Sequence, residues 1–300
     1  MLVVVGPTAS GKTAFAIALA ERFGGELVSA DSRQVYRHCD IGTNKPKAEE
    51  LRGIACHLLD VVEPDDSFTV ADYVPLARSA LGTIWARNRQ PVLQGGTGLY
   101  VRALLDGWNL AGAPPDPELR ARLEQRLKTD GPAALDRELR AIDPAAADRA
   151  QGNPRRLIRA LEIHAVTGRP PSLARRADPP EWEVTAIGLD VPLDELDRRI
   201  EQRVLRMVEA GFVDEVAAVR RDFPGADFRR LGHGYPEMAA HLEGTLSLAA
   251  AIESTVTQVR QYARRQLTWF RADPRVRWIT PDLDLAMPLM TAGMMGGEAI

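Results

Sequence analysis

The chain opens on MLVVVGPTASGKTAF, and no other stretch restricts its fold as strongly. The apolar run Leu2–Val5 ends at Gly6, and from Gly6 to Thr13 the spacing is G-x-x-x-x-G-K-T. A short buried strand, a glycine-bearing turn and a helix in that order gather backbone N–H groups around an anion. Lys12 adds a positive charge on a long stem, and the Thr13 hydroxyl is placed to ligate Mg²⁺. The helix that follows aims its positive end at the same spot. Gly6, Pro7, Thr8, Ala9, Ser10, Gly11, Lys12 and Thr13 therefore read as a phosphate or diphosphate site. The turn alone does not say whether a phosphoryl group moves.

The rest of the composition narrows the class. With 300 residues, 45% of them apolar and 26% charged, the chain can bury a large core and still carry a smaller second domain. No apolar run approaches membrane-spanning length, and a cleaved leader would take the phosphate loop with it, so the expected location is the cytoplasm. Two cysteines, Cys39 and Cys56, lie outside any C-x-x-C, and five histidines are scattered. That pattern argues against a disulfide framework or a zinc site.

Short apolar runs at residues 2–5, 26–30, 57–62, 91–93 and 184–189 alternate with helical stretches such as 13–22 and 70–89. This alternation predicts an α/β fold, a P-loop NTPase-like parallel sheet flanked by helices. Such sheets bind ligands at the carboxyl ends of their strands. The phosphate loop, SADSRQ after the second run and QGGTGLY after the fourth should therefore meet in one crevice. Between the Pro-rich hinges AGAPPDPELRARL and RRADPPEWE the strand signals vanish, which predicts a helical insertion domain over residues 114–180. The catalytic core is then 1–113 with 181–280. After residue 189 the chain reads as helical throughout, with 3.6-period faces over 193–221 and 246–271. Residues 281–300, rich in Gly and Met, read as a flexible tail.

A phosphoryl-transfer enzyme of this loop class carries an Asp at the end of a neighbouring strand to hold Mg²⁺. Here the fourth strand ends in Gln94-Gly95-Gly96-Thr97, with no carboxylate, and Asp60 is a weak substitute. Asp31 lies instead at the mouth of the crevice. An acid there can accept a proton from a nucleophile, or simply organise a turn or helix start.

GPTASGKT, SADSRQVYRHCDIGTNKP, QGGTGLYVRALLDG, NPRRLIRALEI and YARRQLTWFR occur in that order. Together they resemble the signature blocks of the bacterial tRNA dimethylallyltransferase (tRNA isopentenyltransferase) family, over about residues 3 to 271. The resemblance implies transfer of a dimethylallyl group from dimethylallyl diphosphate to the exocyclic N6 amine of an adenosine 3′ to the anticodon. The loop would then hold a diphosphate leaving group, with Mg²⁺ as cofactor and Thr13 as its protein ligand. Allylic displacement needs the departing diphosphate neutralised, and an aromatic amine is a poor nucleophile that benefits from a base. By resemblance Asp31 is that base and Thr97 its neighbour, with Lys12 catalytic on the diphosphate. Arg199 and Arg203 are candidates for the outer diphosphate oxygens.

Residues 155–176 hold six Arg against Glu162 alone, and residues 260–277 hold six more against Asp273. Local basic clusters in a chain of formal charge −3 suit a polyanion bound on one face, although each also fits a solvated helix face. The resemblance assigns tRNA anticodon stem-loop contacts to Asp31, Ser32, Arg33, Gln34, Thr97, Arg120, Arg155, Arg156, Leu157, Ile158 and Arg159. It weakens at LGHGYPEM, where the family carries Lys or Arg and this chain has Pro236, without charge or backbone donor. Trp269 and Phe270 read as core. The expected form is a monomer. A P-loop kinase of a small metabolite, an adenylate (cytokinin-type) prenyltransferase and a nucleotide-gated RNA-binding regulator are the competing readings.

Overall fold

The computed structural model describes residues 1–108, 116–174, 179–180 and 182–295. Six strands, β1 (Leu2–Val5), β2 (Gly25–Ser29), β3 (Cys56–His57), β4 (Gln90–Gly95), β5 (Thr185–Leu189) and β6 (Val276–Ile279), form one sheet in the order β3-β2-β4-β1-β5-β6. Every pairing is parallel. Val3, Val4, Val5, Leu27, Val28, Val92, Leu93, Ile187 and Leu189 form runs buried on both faces of the central strands, as helix-covered parallel sheets require. Register aligns the ends that matter: Val5 pairs with Gly95, and Ser29 with Gln94. The turns after β1, β2 and β4 therefore leave the sheet side by side.

In chain order the first helices are α1 (Lys12–Phe23), α2 (Ala48–Leu51), α3 (Val70–Ala86) and α4 (Gly98–Leu105). They are followed by α5 (Pro117–Asp130), α6 (Pro132–Ile142), α7 (Pro144–Ala150), α8 (Pro154–Thr167) and α9 (Pro171–Ala174). After β5 come α10 (Leu193–Glu209), α11 (Phe212–Asp222), α12 (Phe228–Leu231), α13 (Tyr235–Leu242), α14 (Leu248–Arg271) and, after β6, α15 (Leu283–Met295). On α1, Phe15, Ala16, Leu19 and Ala20 fall on one face and bury against Leu2, Val4, Leu27, Val92, Ile187 and Leu189. Gly24 ends α1 in the left-handed region at φ 60°, where glycine carries no steric penalty.

Two compact units result: Met1–Arg102 with Glu181–Ile300, and Ala103–Pro180. The helical unit runs from Ala103, inside α4, to Pro180, and the boundary expected at residue 114 lies outside the described residues, with the rest of 109–115. Three of its helices, α5, α7 and α8, start by a repeated device, an Asx side chain capping the first turn with Pro at the next position. Asp116 accepts from Leu119 N–H, Asp143 from Ala146 N–H, and Asn153 from the amides of Arg155 and Arg156. Leu123, Leu135, Leu139, Leu157, Ile158 and Leu161 close its core.

Four sequence expectations are corrected. The third strand is only Cys56–His57, because Leu58 and Asp60 take positive φ and break the extended run. The helical stretch 193–221 divides at Gly211, which sits at φ 98°. A sixth strand, missed among arginines, is placed by Trp278, whose ring packs on Gly188; a Cβ there would lie 2.8 Å from it. The expected flexible tail is helical over Leu283–Met295, and Ala286 is buried against the α1 core; residues 296–300 lie outside the described residues.

Candidate active site

The phosphate loop is a concave backbone. Gly6, Ala9 and Gly11 have φ of 146°, 63° and 89°, a run of turns that points successive amides inward. α1 starts at Lys12, so the N–H groups of its first turn have no helical acceptor and face the loop. Nothing lies within 4 Å of a Cβ built on Gly11, so the rim there is open. Lys12 Nζ donates to Pro7 O at 2.6 Å. Burial brings its ammonium down to about 8, opposed by the charge of Asp31 and reinforced by Arg203.

Asp31 follows β2, and Thr97 follows β4, as the strand register requires. Asp31 Oδ1 accepts from Arg33 N–H at 2.9 Å, an Asx turn rather than a helix cap. Thr97 Oγ1 accepts from Ser32 N–H at 2.9 Å and donates to Ser32 Oγ at 3.2 Å, while Thr97 N–H donates to Ala30 O. Aligned strand ends and shared hydrogen bonds thus lock the two turns into one surface beside Lys12.

Among the other candidates the structure separates partners. Arg203 Nη1 donates to Thr8 Oγ1 at 3.0 Å, on the phosphate loop. Arg199 is held by Glu195 one turn back on α10, at 2.7 Å, so of this pair only Arg203 contacts the loop among the described residues. Gln34 is buried, its amide accepting from Ser29 and donating to Asn44 O, so its side chain organises the loop instead of facing solvent. Arg33 donates to Arg230 O. Asp60 pairs with Lys45 at 2.5 Å and belongs to that structural ion cluster.

Metal fit follows from the donors present. Among the described residues no group of three or more His, Cys, Asp or Glu can hold a metal by itself. Ser10 Oγ, fully buried behind the loop, has no hydrogen-bond partner, and Thr13 is half-exposed at the second residue of α1. Mg²⁺ typically takes one or two protein ligands and completes its shell with substrate phosphate and water. A hydroxyl beside a diphosphate cradle fits that habit.

In the helical unit, Arg155 and Arg156 are exposed at the start of α8. Leu157 and Ile158 are core residues, 0% and 7% exposed, so their side chains pack into the helical unit on the face of α8 turned from solvent. Arg159 and Arg120 converge on the fully buried Glu162 carboxylate at 2.6 and 2.7 Å, and Asp116 N–H joins them at 3.0 Å. Burial pushes the Glu162 carboxyl up, but the two arginines and this amide outweigh it and hold it below the usual range. The second basic cluster is largely paired: Arg260 with Glu201, Arg264 with Asp197, Arg271 with Asp190 and Arg275 with Asp273.

Two residues at the site lie in the block YARRQLTWFR but drew no role from the sequence, Tyr262 and Gln266 on α14. Gln266 Oε1 accepts from Thr8 N–H and its Nε2 donates to Gly96 O, each at 2.8 Å. The Tyr262 hydroxyl reaches Thr97 and Gln266, its ring lies 5.0 Å from that of His233, and burial raises its phenol to about 12. Pro236, in the divergent segment, occupies the first turn of α13, where Glu237 caps Gly234 N–H at 3.0 Å.

The IPP transferase family model matches residues 34–273. A tRNA dimethylallyltransferase of Thermomicrobium roseum is 48% identical over 93% of this chain and 85% of its own length. One from Anaeromyxobacter dehalogenans is 48% identical over 95% of this chain and 96% of its own. The crystal structure of a tRNA isopentenylpyrophosphate transferase from Bacillus halodurans superimposes with a TM-score of 0.71 at 40% identity, covering 98% of this chain and 94% of that one. No helix of the described residues is long and apolar enough to cross a membrane.

Proposed function

The chain belongs to the IPP transferase family and is a tRNA dimethylallyltransferase, and on that premise we propose how its residues divide the reaction. The donor is dimethylallyl diphosphate, and the acceptor is the N6 amine of the adenosine 3′ to the anticodon. Thr8 to Thr13 line the diphosphate site, which binds through the loop amides left free once Gln266 holds that of Thr8 and through the Lys12 ammonium, with Arg203 at the outer oxygens and Arg199 able to join it only by leaving Glu195. As the bond from N6 to the allylic carbon forms, the bond from that carbon to the diphosphate oxygen breaks, and the N6 proton passes to Asp31. Thr97 holds the Asp31 turn and hydrogen-bonds the adenine or diphosphate. Thr13 would hold Mg²⁺, which when bound would supply charge neutralisation to the leaving diphosphate. No phosphoryl group is transferred. Ser32 and Arg33 are tRNA contacts in the sheet-bearing unit and the exposed arginines of α8 are tRNA contacts in the helical unit, and the target base is extruded from the anticodon loop stack to reach Asp31. The enzyme works as a cytoplasmic monomer.

The observation that carries this reading is the meeting of a diphosphate cradle with a carboxylate and a hydroxyl at neighbouring strand ends. The test is diphosphate release from dimethylallyl diphosphate measured with each acceptor in turn. Release that requires tRNA, accompanied by prenylated RNA, is expected. Equal release with free adenosine monophosphate would favour an adenylate prenyltransferase, ATP-dependent phosphorylation would favour a kinase, and tRNA binding without turnover would leave only a regulator.

A further inference from the structure

The diphosphate cradle and the acceptor turn belong to different loops, after β1 and after β4, and prenyl transfer depends on the distance between them. The side chain that joins them comes from neither loop. Gln266 on α14 is 5% exposed, and its amide is bonded at both ends, Oε1 to Thr8 N–H and Nε2 to Gly96 O. An amide is the fitting group here, because it accepts from a backbone donor on one side and donates to a backbone acceptor on the other. The approach is close enough that a Cβ on Gly96 would fall 2.2 Å from Gln266 Nε2. Tyr262 and Trp269 lie one turn to either side on the same face of α14. The Tyr262 hydroxyl reaches Thr97 and Gln266, and the Trp269 ring packs on Gly98, where a Cβ would lie 2.1 Å from it. One helix face thus touches the phosphate loop at residue 8 and the acceptor turn at residues 96, 97 and 98.

We propose that Gln266, braced by Tyr262, is a positioning residue for prenyl transfer, setting the spacing between the diphosphate loop and the Thr97 turn. The proposal rests on the reading of the site given above. The two loops meet Gln266 through backbone, Thr8 N–H and Gly96 O, so it acts through their spacing and contributes to the rate without contributing to the affinity of either substrate alone. Displacing a reacting group by about 1 Å can cost on the order of 100-fold in rate.

The experiment compares wild type with Gln266→Glu, which can accept from Thr8 N–H but not donate to Gly96 O, and with Gln266→Met, which does neither. Three quantities are measured below each variant's unfolding temperature: single-turnover transfer with both substrates saturating, affinity for dimethylallyl diphosphate, and affinity for an anticodon stem-loop. Transfer should fall about 30- to 100-fold, with each affinity within about threefold of wild type. Transfer at saturation equal to wild type would overturn the inference. So would affinities that fall in step with the rate, since that marks a general scaffold role. Should both variants fail to fold, Tyr262→Phe removes the brace alone, with an expected loss of about three- to tenfold in saturated transfer; an unchanged rate there also overturns the proposal. Wild type is the internal control. If it transfers no dimethylallyl group, the functional reading falls and takes this one with it, whereas active wild type with equally active variants removes only the positioning role.

Discussion

Asp31 forms an Asx turn with Arg33, and that bond alone accounts for an aspartate at this position. Catalysis asks something different of the same side chain, acceptance of a proton, and asparagine separates the two. Asp31→Asn keeps the Asx turn and its size but cannot take up a proton, so single-turnover transfer at saturation should fall by about 100- to 10,000-fold. A rate within about threefold of wild type would assign Asp31 to the turn only. Lys12 gives the second test at this scale. Burial sets its ammonium near 8, and a bound diphosphate favours the charged form, so binding raises that value. Affinity for dimethylallyl diphosphate should therefore hold below pH 8 and weaken by up to about tenfold per unit above it, as free enzyme loses the proton that the complex keeps. The diphosphate itself adds no titration in this range, since phosphate second ionisations lie near about 6. Lys12→Met should bind weakly at every pH with a flat profile by calorimetry; a sloping profile in that variant would place the titration on another group.

At the level of elements, α8 shows what a sequence can and cannot disclose. Asn153-Pro154 announces its start, and the apolar spacing of Leu157 and Leu161 gives its buried face. What could not be read was the fate of Arg159 and Arg120, because Glu162 looks like one more surface acid until the fold buries it between them. The same holds for α14: Tyr262 and Gln266 sit in an ordinary helical pattern, and only tertiary apposition to residues 8 and 96 gives them a role. By contrast β1, its loop, α1 and the turns after β2 and β4 were legible, because apolar strands, glycines and a Lys-Thr pair are local signals that the parallel sheet brings into register. Strand β6 was hidden because an edge strand tolerates the charge of Arg277. Glu162→Gln should destabilise the helical unit by about 1–3 kcal/mol at neutral pH, at the lower end if the half-exposed arginines rehydrate. Glu162 titrates below its usual value, so its stabilisation is present above the unfolded value and is lost as pH falls through the folded one. The difference between variant and wild type, read as amide exchange from α5 and α8, should accordingly be full near pH 7 and shrink in acid below about 4.5. An equal difference at both pH values would mean that the carboxylate charge is not what holds the two arginines.

Across the whole molecule, 38 basic residues, all but four of them Arg, coexist with a formal charge of −3, so attraction for a polyanion must come from local placement. The pairings narrow where that is. Arg260, Arg264, Arg271 and Arg275 each face a carboxylate, and Arg120 and Arg159 share one, whereas Arg155 and Arg156 begin α8 exposed with no acid beside them among the described residues. The diphosphate cradle lies in the other unit, on the sheet. Two functions held by separate residues should fail separately. Lys12→Ala and Thr13→Ala are expected to lower prenyl transfer sharply while leaving anticodon stem-loop affinity and its salt dependence unchanged. Arg155→Ala with Arg156→Ala is expected to do the reverse. For every RNA phosphate that an arginine no longer neutralises, the slope of log affinity against log salt falls by about 0.7 to 0.9, and transfer recovers once RNA saturates. Arg260→Ala with Arg264→Ala serves as the control, because neutralising arginines already paired with Asp197 and Glu201 should leave the slope alone. A slope that responds to the control pair but not to Arg155 and Arg156 would move the RNA from α8 to the α14 face. Loss of RNA affinity in Lys12→Ala equal to its loss of turnover would mean that the loop binds the nucleic acid backbone, and the division of labour proposed for the two units would fail.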